Sequence, residues 1–306
     1  MEEGVIVTIG VVIPTKNRVG DLFRAIESVK RQTYLSNEII VVDQSDTDDA
    51  KEGIEGLLRD YSLIKQKYVF NRNLSGLTAA KNAGLEQAES DVLLFIDDDI
   101  VLDEKFLDVL RCTYEKYPEL GGVGGLAEVS YEKVSRFRRK AALLFQTGPF
   151  RDFRAVIQAG YMRDRDIVPT WWLSGGLSSV RREVFDKVRF NEGLKGASPI
   201  EDFDFYFRAS KYFKFAIAPG AKALHNISQT SRHNTCRAFE MKCSGFCYIF
   251  EKYVDKTLKN KLAILWRNIG FFIDALIKSA SYKTLAPLKG AFSAWYKAIV
   301  KKEYTI

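Results

Sequence analysis

Four apolar runs in the first hundred residues limit what this chain can fold into. Residues 5–13, 38–42, 63–70 and 92–96 are rich in apolar residues, and each gives way to polar residues and then to a helical pattern. Between the first two, Leu22, Ile26 and Val29 recur at helical spacing. Segments 48–60 and 105–117 supply two further helices, and a third runs through Lys81 to Ala88 with Asn73 or Ser75 as its expected N-cap. Strand, turn and helix in alternation predict a parallel α/β sheet. The reading gathers Pro14, Thr15, Asn17, Asp43, Asn73, Asp97, Asp98 and Asp99 after the strands. That rim is where open α/β sheets bind ligands.

Asp97, Asp98 and Asp99 end the fourth run, and three adjacent carboxylates repel one another unless something compensates them. One reading is a hard divalent cation, Mg²⁺ or Mn²⁺, bridging to phosphates. The other is an acidic turn that starts the next helix. Ala79, Ala80, Ala83 and Gly84 let their helix approach a backbone or a ligand closely, and Lys81 is expected to project one cation from it. A carboxylate for a base or ribose, a lone Lys and an acid cluster on one edge fit a nucleotide diphosphate.

After residue 117 the alternation stops. Segment 121–125 (GGVGG) reads as a short strand or turn, 145–168 as a long surface loop, and Arg181–Arg182 as the start of a helix ending near residue 188. Of Trp171 and Trp172, one is expected in the core and the other as an apolar platform for a sugar ring; Gly175 and Gly176 permit close backbone approach. Glu201 and Asp204 share a helix face, and Asp202 points elsewhere. Phe203 beside Asp202 gives it partly apolar surroundings, which raise a carboxyl pKa, while the same acids also suit a helix N-terminus. A last strand at 213–217 precedes His225, open to two readings: a buried hydrogen-bonded His or a metal ligand.

The formal charge of +7 is uneven. Residues 252–306 hold eleven Lys/Arg against three acids, a net +8, so the rest of the chain is near neutral. Such a tail suggests a surface-binding appendage and gives no support for nucleic acid as a partner. In it Leu262, Leu265, Trp266, Ile269, Phe272, Ile273 and Leu276 form one apolar stripe, and Leu288, Phe292, Trp295, Tyr296 and Ile299 a second. They either pack on the body or lie at an anionic membrane surface. Four Cys without zinc or disulfide spacing fit a reducing compartment. No secretory signal and no spanning helix are expected.

In their order these stretches resemble the family-2 glycosyltransferases, GT-A-fold enzymes that use nucleotide-activated sugars. The likeness rests on PTKNR at 14–18, Asp43 and Asp46, segment 73–82, and the acids at 97–99. It continues with LSGG at 173–176 plus Arg181 and Arg182, the GLKG to ED run at 193–202, and His225, about residues 8–232 in all. It implies an α/β fold of GT-A type, a mixed sheet flanked by helices. The catalytic domain would be 1–234, with a nucleotide half to about 120 and an acceptor half from about 121, followed by a basic helical extension, 235–306. The activity implied is metal-dependent, inverting, non-processive transfer from a nucleotide-sugar donor to a hydroxyl of a glycan or lipid-linked acceptor.

On the donor side the resemblance implies Pro14, Thr15, Asn17, Asp43 (by the base), Asn73, Lys81, Asp97 (near the ribose) and Asp98. Asp99 and His225 would hold Mn²⁺ or Mg²⁺, and Asp202 would be the catalytic base. Trp172, Gly175, Gly176 and Glu201 fall on the acceptor side. Because many relatives glycosylate lipid-linked acceptors, it further implies a cytoplasmic location with peripheral membrane contact through 252–306. There are departures: Lys81 stands where many relatives have Arg, losing a bidentate fork, and residues 190–192 read FNE rather than FDE. Gln229, Arg232 and His233 miss the QxxRW of processive synthases by one residue. A nucleotidyltransferase is the first alternative, although its Gly-rich basic phosphate loop is missing. A non-catalytic sugar-nucleotide-binding or scaffold protein is the second, against which Asp99, Asp202 and His225 speak. The oligomeric state is not legible.

Overall fold

The computed structural model describes residues 7–48, 51–59, 64–129, 140, 143–194, 200–226 and 235–305. The GLKG motif past Leu194, together with Gln229, Arg232 and His233, lies outside the described residues. Strands β1 (Ile9–Thr15), β2 (Glu38–Asp43), β3 (Lys65–Phe70) and β4 (Val92–Ile96) alternate with helices α1 (Val19–Lys30), α2 (Lys51–Arg59) and α3 (Leu77–Gln87). β1, β2 and β4 are buried along their whole length, which is why they read as unbroken apolar runs. β1 pairs in parallel with β2 and β4, and β2 with β3. α3 begins at Gly76 without a side-chain cap, not at Asn73 or Ser75.

Beyond β4 the sheet becomes mixed. β5 (Ile100–Leu102), helix α4 (Phe106–Lys116), β6 (Leu120–Val129), helix α5 (Phe153–Gln158), β7 (Val168–Thr170) and β8 (Leu177–Arg181) come next. Helix α6 (Glu201–Ala209) and β9 (Lys214–His225) follow. The order is β3-β2-β1-β4-β8-β6-β9-β5, with β7 on β9 and β8 antiparallel to β4. Three local expectations differ. The GGVGG segment is the middle of a ten-residue strand, the last strand runs on to His225, and the 145–168 segment read as loop holds α5. Arg181 ends β8 and caps a short 3-10 helix, Arg182–Asp186, at the place where a helix start was expected. In β6 the glycines make room for rings: a Cβ on Gly122 would lie 2.8 Å from Phe215, and one on Gly125 2.5 Å from Phe106.

Helices α7 (Thr235–Tyr253), α8 (Leu258–Tyr282) and α9 (Ala286–Tyr296) complete the chain. They share a core with the sheet: one apolar cluster includes Val12, Phe95, Phe203, Phe246, Phe271 and Ala294. Packing therefore runs across the boundary expected at 234/235. Phe246 meets Phe203 edge-on at 4.9 Å, and Tyr253 donates its hydroxyl to Asp204. α8 buries Ala263, Ile264, Asn268, Phe271, Ala275 and Ser279, and α9 buries Pro287, Gly290, Ala291 and Ala294. The larger residues of both stripes mostly stay outside. Small side chains let these helices meet closely; a Cβ on Gly290 would lie 2.1 Å from the Cys236 carbonyl oxygen.

The two halves of the α/β body are tied by an ion pair. Lys81 on α3 donates to Glu201 Oε1 at 2.7 Å and to the Gly175 carbonyl at 2.9 Å. Its side chain is only 1% exposed, and that of Glu201 6%. Lys81 is thus a buried link, not a projecting cation. The small residues around it, Ala79, Ala80 and Gly84, bring α3 so close to the sheet that its stem is enclosed. Removing one member of a buried pair leaves the other charge uncompensated, at about 3–5 kcal/mol. Lys81→Met is expected to lose stability of that order in urea unfolding, and Lys81→Met combined with Glu201→Gln to recover much of it. A loss no larger than that of an ordinary surface substitution would sink the linking role.

Candidate active site

A cavity of about 420 Å³ opens at the carboxyl ends of β1 and β4. Pro14, Thr15, Asn17, Asp97, Asp98 and Asp99 line it, as do Lys16, Arg18, Gln44, Leu74, Gly76 and Leu77. That volume suits a small-molecule ligand. Gly76 and Leu77 place the start of α3 in its wall, a favourable end of a helix for anions. Asn17, at φ 57°, is held by reciprocal bonds: its side-chain amide donates to Asp46 at 2.8 Å, and its Oδ1 accepts the Asp46 N–H at 3.0 Å. Gln44 donates to the carbonyls of Leu74 and Gly76 and so ties two walls together.

The three acids are not equivalent. Asp98 is buried and accepts from the Thr15 hydroxyl at 2.7 Å and from Arg18 Nη1 at 2.9 Å. Burial pushes its carboxyl up to about 7, with Arg18 and Thr15 pulling against it. Asp99 lies 3.1 Å from His225 Nε2, because the β5–β9 register sets Ile100 opposite His225. Burial disfavours the His225 imidazolium, yet the Asp99 carboxylate outweighs it and the net shift is upward. Among the described residues no three His, Cys, Asp or Glu side chains form a metal cage. The Asp99–His225 pair offers one carboxylate and one imidazole, donors that suit Mn²⁺.

Asp97 faces the turn after β7. Its N–H donates to the Gly176 carbonyl at 3.0 Å, and a Cβ on Gly176 would lie 2.1 Å from Asp97 Oδ2. At the neighbouring residue, the Gly175 N–H donates to Asp202 Oδ2 at 3.2 Å, and a Cβ there would lie 2.0 Å from Glu201 Oε1. Two glycines are needed because carboxylates press on this backbone from both sides. On α6, Glu201 is held by Lys81, and Asp204 by Arg208 and Tyr253. Both are buried, as their shared face predicts, and Asp202 keeps partial exposure. Burial raises the Asp202 carboxyl, with Arg154 the chief opposing charge. Burial also raises Glu201 against the pull of Lys81.

Some expected residues stand apart from the cavity. Asp43 is buried with its oxygens taken by the Ser45 N–H and the Tyr68 hydroxyl. Asn73 is exposed on the adjacent loop, and neither residue lines the cavity. Trp172 is packed rather than open: Phe203 lies 3.8 Å from it between ring centroids, and Arg154 covers it at 4.0 Å. Arg18 and Arg154 were not legible as site residues. Arg18 sits inside PTKNR but reads as the start of α1. Arg154 lies in a segment whose pattern reads as loop.

Residues 10–189 match the family model for glycosyl transferase family 2. The uncharacterized glycosyltransferase YwdF of Bacillus subtilis is 25% identical over 220 residues, 72% of this chain and 74% of that protein. The GalNAc(5)-diNAcBac-PP-undecaprenol beta-1,3-glucosyltransferase of Campylobacter jejuni is 39% identical over 112 residues, 36% of this chain and 35% of its own. Among solved structures, the mannosyltransferase PcManGT from Pyrobaculum calidifontis in complex with GDP-Man and Mn²⁺ aligns with a TM-score of 0.62 at 16% identity, over 97% of this chain and 88% of that one. S. aureus TarS 1–349 in complex with UDP-GlcNAc gives 0.63 at 14%, over 96% and 82%. Those structures speak for the fold. The family match covers more than half of the chain, so this protein belongs to glycosyl transferase family 2 and is a glycosyltransferase of the GT-A fold.

Proposed function

We propose that the protein is a metal-dependent, inverting glycosyltransferase with Asp202 as its base. The observation that carries this is the Gly175–Gly176 turn. It bonds the cavity acid Asp97 through one residue and Asp202 through the next. The cavity then receives the nucleotide diphosphate, with Pro14, Thr15, Asn17, Arg18 and Asp97 around it. Asp99 and His225 would hold the Mn²⁺ or Mg²⁺, which when bound neutralises charge on the departing diphosphate. Asp202 accepts the proton of the acceptor hydroxyl as that oxygen attacks the anomeric carbon. The bond from that carbon to the diphosphate breaks, and its electron pair leaves with the phosphate. One displacement inverts the configuration. Lys81 and Glu201 act by holding the turn, and Trp172 with Gly175 and Gly176 backs the acceptor side.

A lipid-linked acceptor is favoured by two supports. The Campylobacter jejuni relative is named for a PP-undecaprenol acceptor. On α8, Leu258, Leu262, Leu265, Trp266, Ile269, Ile273, Leu276 and Ile277 are all exposed, with Lys259, Lys261 and Lys283 exposed nearby in the chain. An apolar stripe with adjacent cations suits the surface of an anionic membrane, and no helix among the described residues is long and apolar enough to cross one. The extension thus docks the enzyme on a bilayer that holds its acceptor.

Asp202→Asn is expected to keep the thermal shift produced by the cognate donor, found by screening UDP-, GDP- and dTDP-sugars with Mn²⁺, and to lose roughly 10²–10⁴-fold in transfer. Transfer at the wild-type rate would remove the base assignment. Because the Asp202 pKa is raised, wild-type transfer should fall with decreasing pH at a point above the usual Asp value of about 3.9. Asp99→Ala is expected to abolish the Mn²⁺-dependent part of the donor shift; an unchanged Mn²⁺ dependence would rule out that ligand. For the membrane, the triple variant Leu262→Gln, Ile269→Gln, Leu276→Gln should stop flotating with phosphatidylglycerol vesicles while melting as the wild type does. Continued flotation, or a wild type that self-associates instead of floating, would overturn the docking surface.

A further inference from the structure

Three cations of the helical extension lie outside both the donor cavity and the exposed stripe of α8. Lys242 belongs to α7, and Arg267 and Lys278 to α8. They stand over a run of three buried rings, Phe239, Phe271 and Phe246. Lys278 Nζ lies 5.3 Å from the Phe239 centroid, and Lys242 Nζ 5.8 Å from Phe239 and 5.0 Å from Phe271. The Arg267 guanidinium lies 4.8 Å from Phe271 and 4.8 Å from Phe246. Phe246 in turn meets Phe203, the residue after Asp202. The three cations thus form a row along α7 and α8 whose Arg267 end is two ring contacts from the proposed base.

We propose that Lys242, Arg267 and Lys278 form an anion site that holds a phosphate or diphosphate group of the acceptor. This rests on the lipid-linked acceptor reading and names the part of that acceptor which the extension grips. The row carries more positive charge than its neighbours offset. Asp274 is its one acidic partner among the described residues, 3.5 Å from Lys242 Nζ and 3.8 Å from Lys278 Nζ through the same oxygen. Arg267 has no ion pair and no hydrogen bond among the described residues, and its Nε is buried without a partner. Ring faces hold such cations in place but carry no net charge to neutralise them. The Lys242 and Lys278 side chains are 45% and 27% exposed, so a ligand can reach them from solvent. Arg267, Asp274 and Lys278 share one helix face by their spacing of seven and four residues. That face stands over inward rings, whereas Leu262, Ile269, Ile273 and Leu276 are exposed on another side. A bilayer under the stripe therefore leaves these cations to a group that stands off its surface. A diphosphate, with at least two charges and several acceptor oxygens, matches a row of cations better than a single carboxylate does.

The test is lysine footprinting of the full chain in EDTA: acetylation by an N-hydroxysuccinimide ester, read residue by residue by mass spectrometry. Inorganic pyrophosphate and geranyl diphosphate are each expected to slow the labelling of Lys242 and Lys278, and the protection should weaken as salt rises. Lys16, which lines the donor cavity, reports separately on that site. Arg267→Gln should raise the half-protecting pyrophosphate concentration about tenfold, as for a lost charge-assisted hydrogen bond, and Arg267→Lys should restore part of it. Lys278→Gln, read at Lys242, serves if the Gln variant at 267 is unfolded. Labelling of Lys242 and Lys278 that neither probe slows overturns the proposal, as does protection that both Arg267→Gln and Lys278→Gln leave unchanged. Protection by phosphatidylglycerol vesicles with none by free pyrophosphate would give the row to bilayer headgroups, and that also overturns it. Failure of the lipid-linked reading looks different: pyrophosphate would still protect the row, while the wild type would not float with the vesicles.

Discussion

The buried pair between Lys81 and Glu201 is the interaction on which the site depends. Its two members are 120 residues apart in the chain. Neither charge can be buried alone without a penalty of several kcal/mol, so α3 and α6 must arrive together or not at all. Lys81 also bonds the Gly175 carbonyl, so the pair fixes the turn as well as the helices. The Gly175–Gly176 turn in turn bonds Asp97 at the cavity and Asp202, the proposed base, beyond it. A sugar moved between two substrates needs donor and base held to within a fraction of an ångström. Under the proposed mechanism that spacing is set by the turn that the buried pair holds in place.

The acids at the end of β4 show how three like charges are tolerated in one place. The middle one is turned inward and held by a hydroxyl and a guanidinium, and this anchors β1 to β4 across the rim. Arg18 also lies 3.8 Å from Asp99, whose other neighbour is His225. Asp97 rests against the backbone of Gly176. Each carboxylate therefore has its own surroundings: Asp98 is turned inward, Asp99 is buried beside His225, and Asp97 is half-buried against the turn. That arrangement keeps the Asp99–His225 pair together on the rim.

The first half of the fold was legible because its strands are buried on both faces and its helices are amphipathic, so composition alone separates them. The rim followed from the alternation. The second half resisted for physical reasons. β6 is built from glycines that carry no strand signal of their own and are there because Phe106, Leu173, Phe213 and Phe215 fill the space. β5 is three residues long and exists through its pairing with β9. On α6 the spacing did separate Asp202 from Glu201 and Asp204. What pairs with Glu201 could not be read, since a contact across 120 residues leaves no local trace. Lys81 looked like a surface cation for the same reason, and Asp43 looked available because its partner Tyr68 sits on another strand.

The helical extension carries the most instructive ambiguity. Read by period, α8 has one apolar stripe, and a stripe ordinarily marks the buried face. In the folded chain most of that stripe points outward, while the inward face is made of Ala263, Ile264, Phe271, Ala275 and Ser279. Small residues at a helix contact bring backbones close and need less apolar area to do so, the manner of packing common inside bilayers. Large residues left outside by such packing cost free energy in water, and that cost is offset only when something covers them. The inward side reaches the site: Phe271 packs on Phe246, and Phe246 on Phe203 beside Asp202. Whatever covers the outer face of α8 therefore lies two ring contacts from the backing wall of the proposed base. The proposed docking face and the proposed base are joined through one chain of packed aromatic rings.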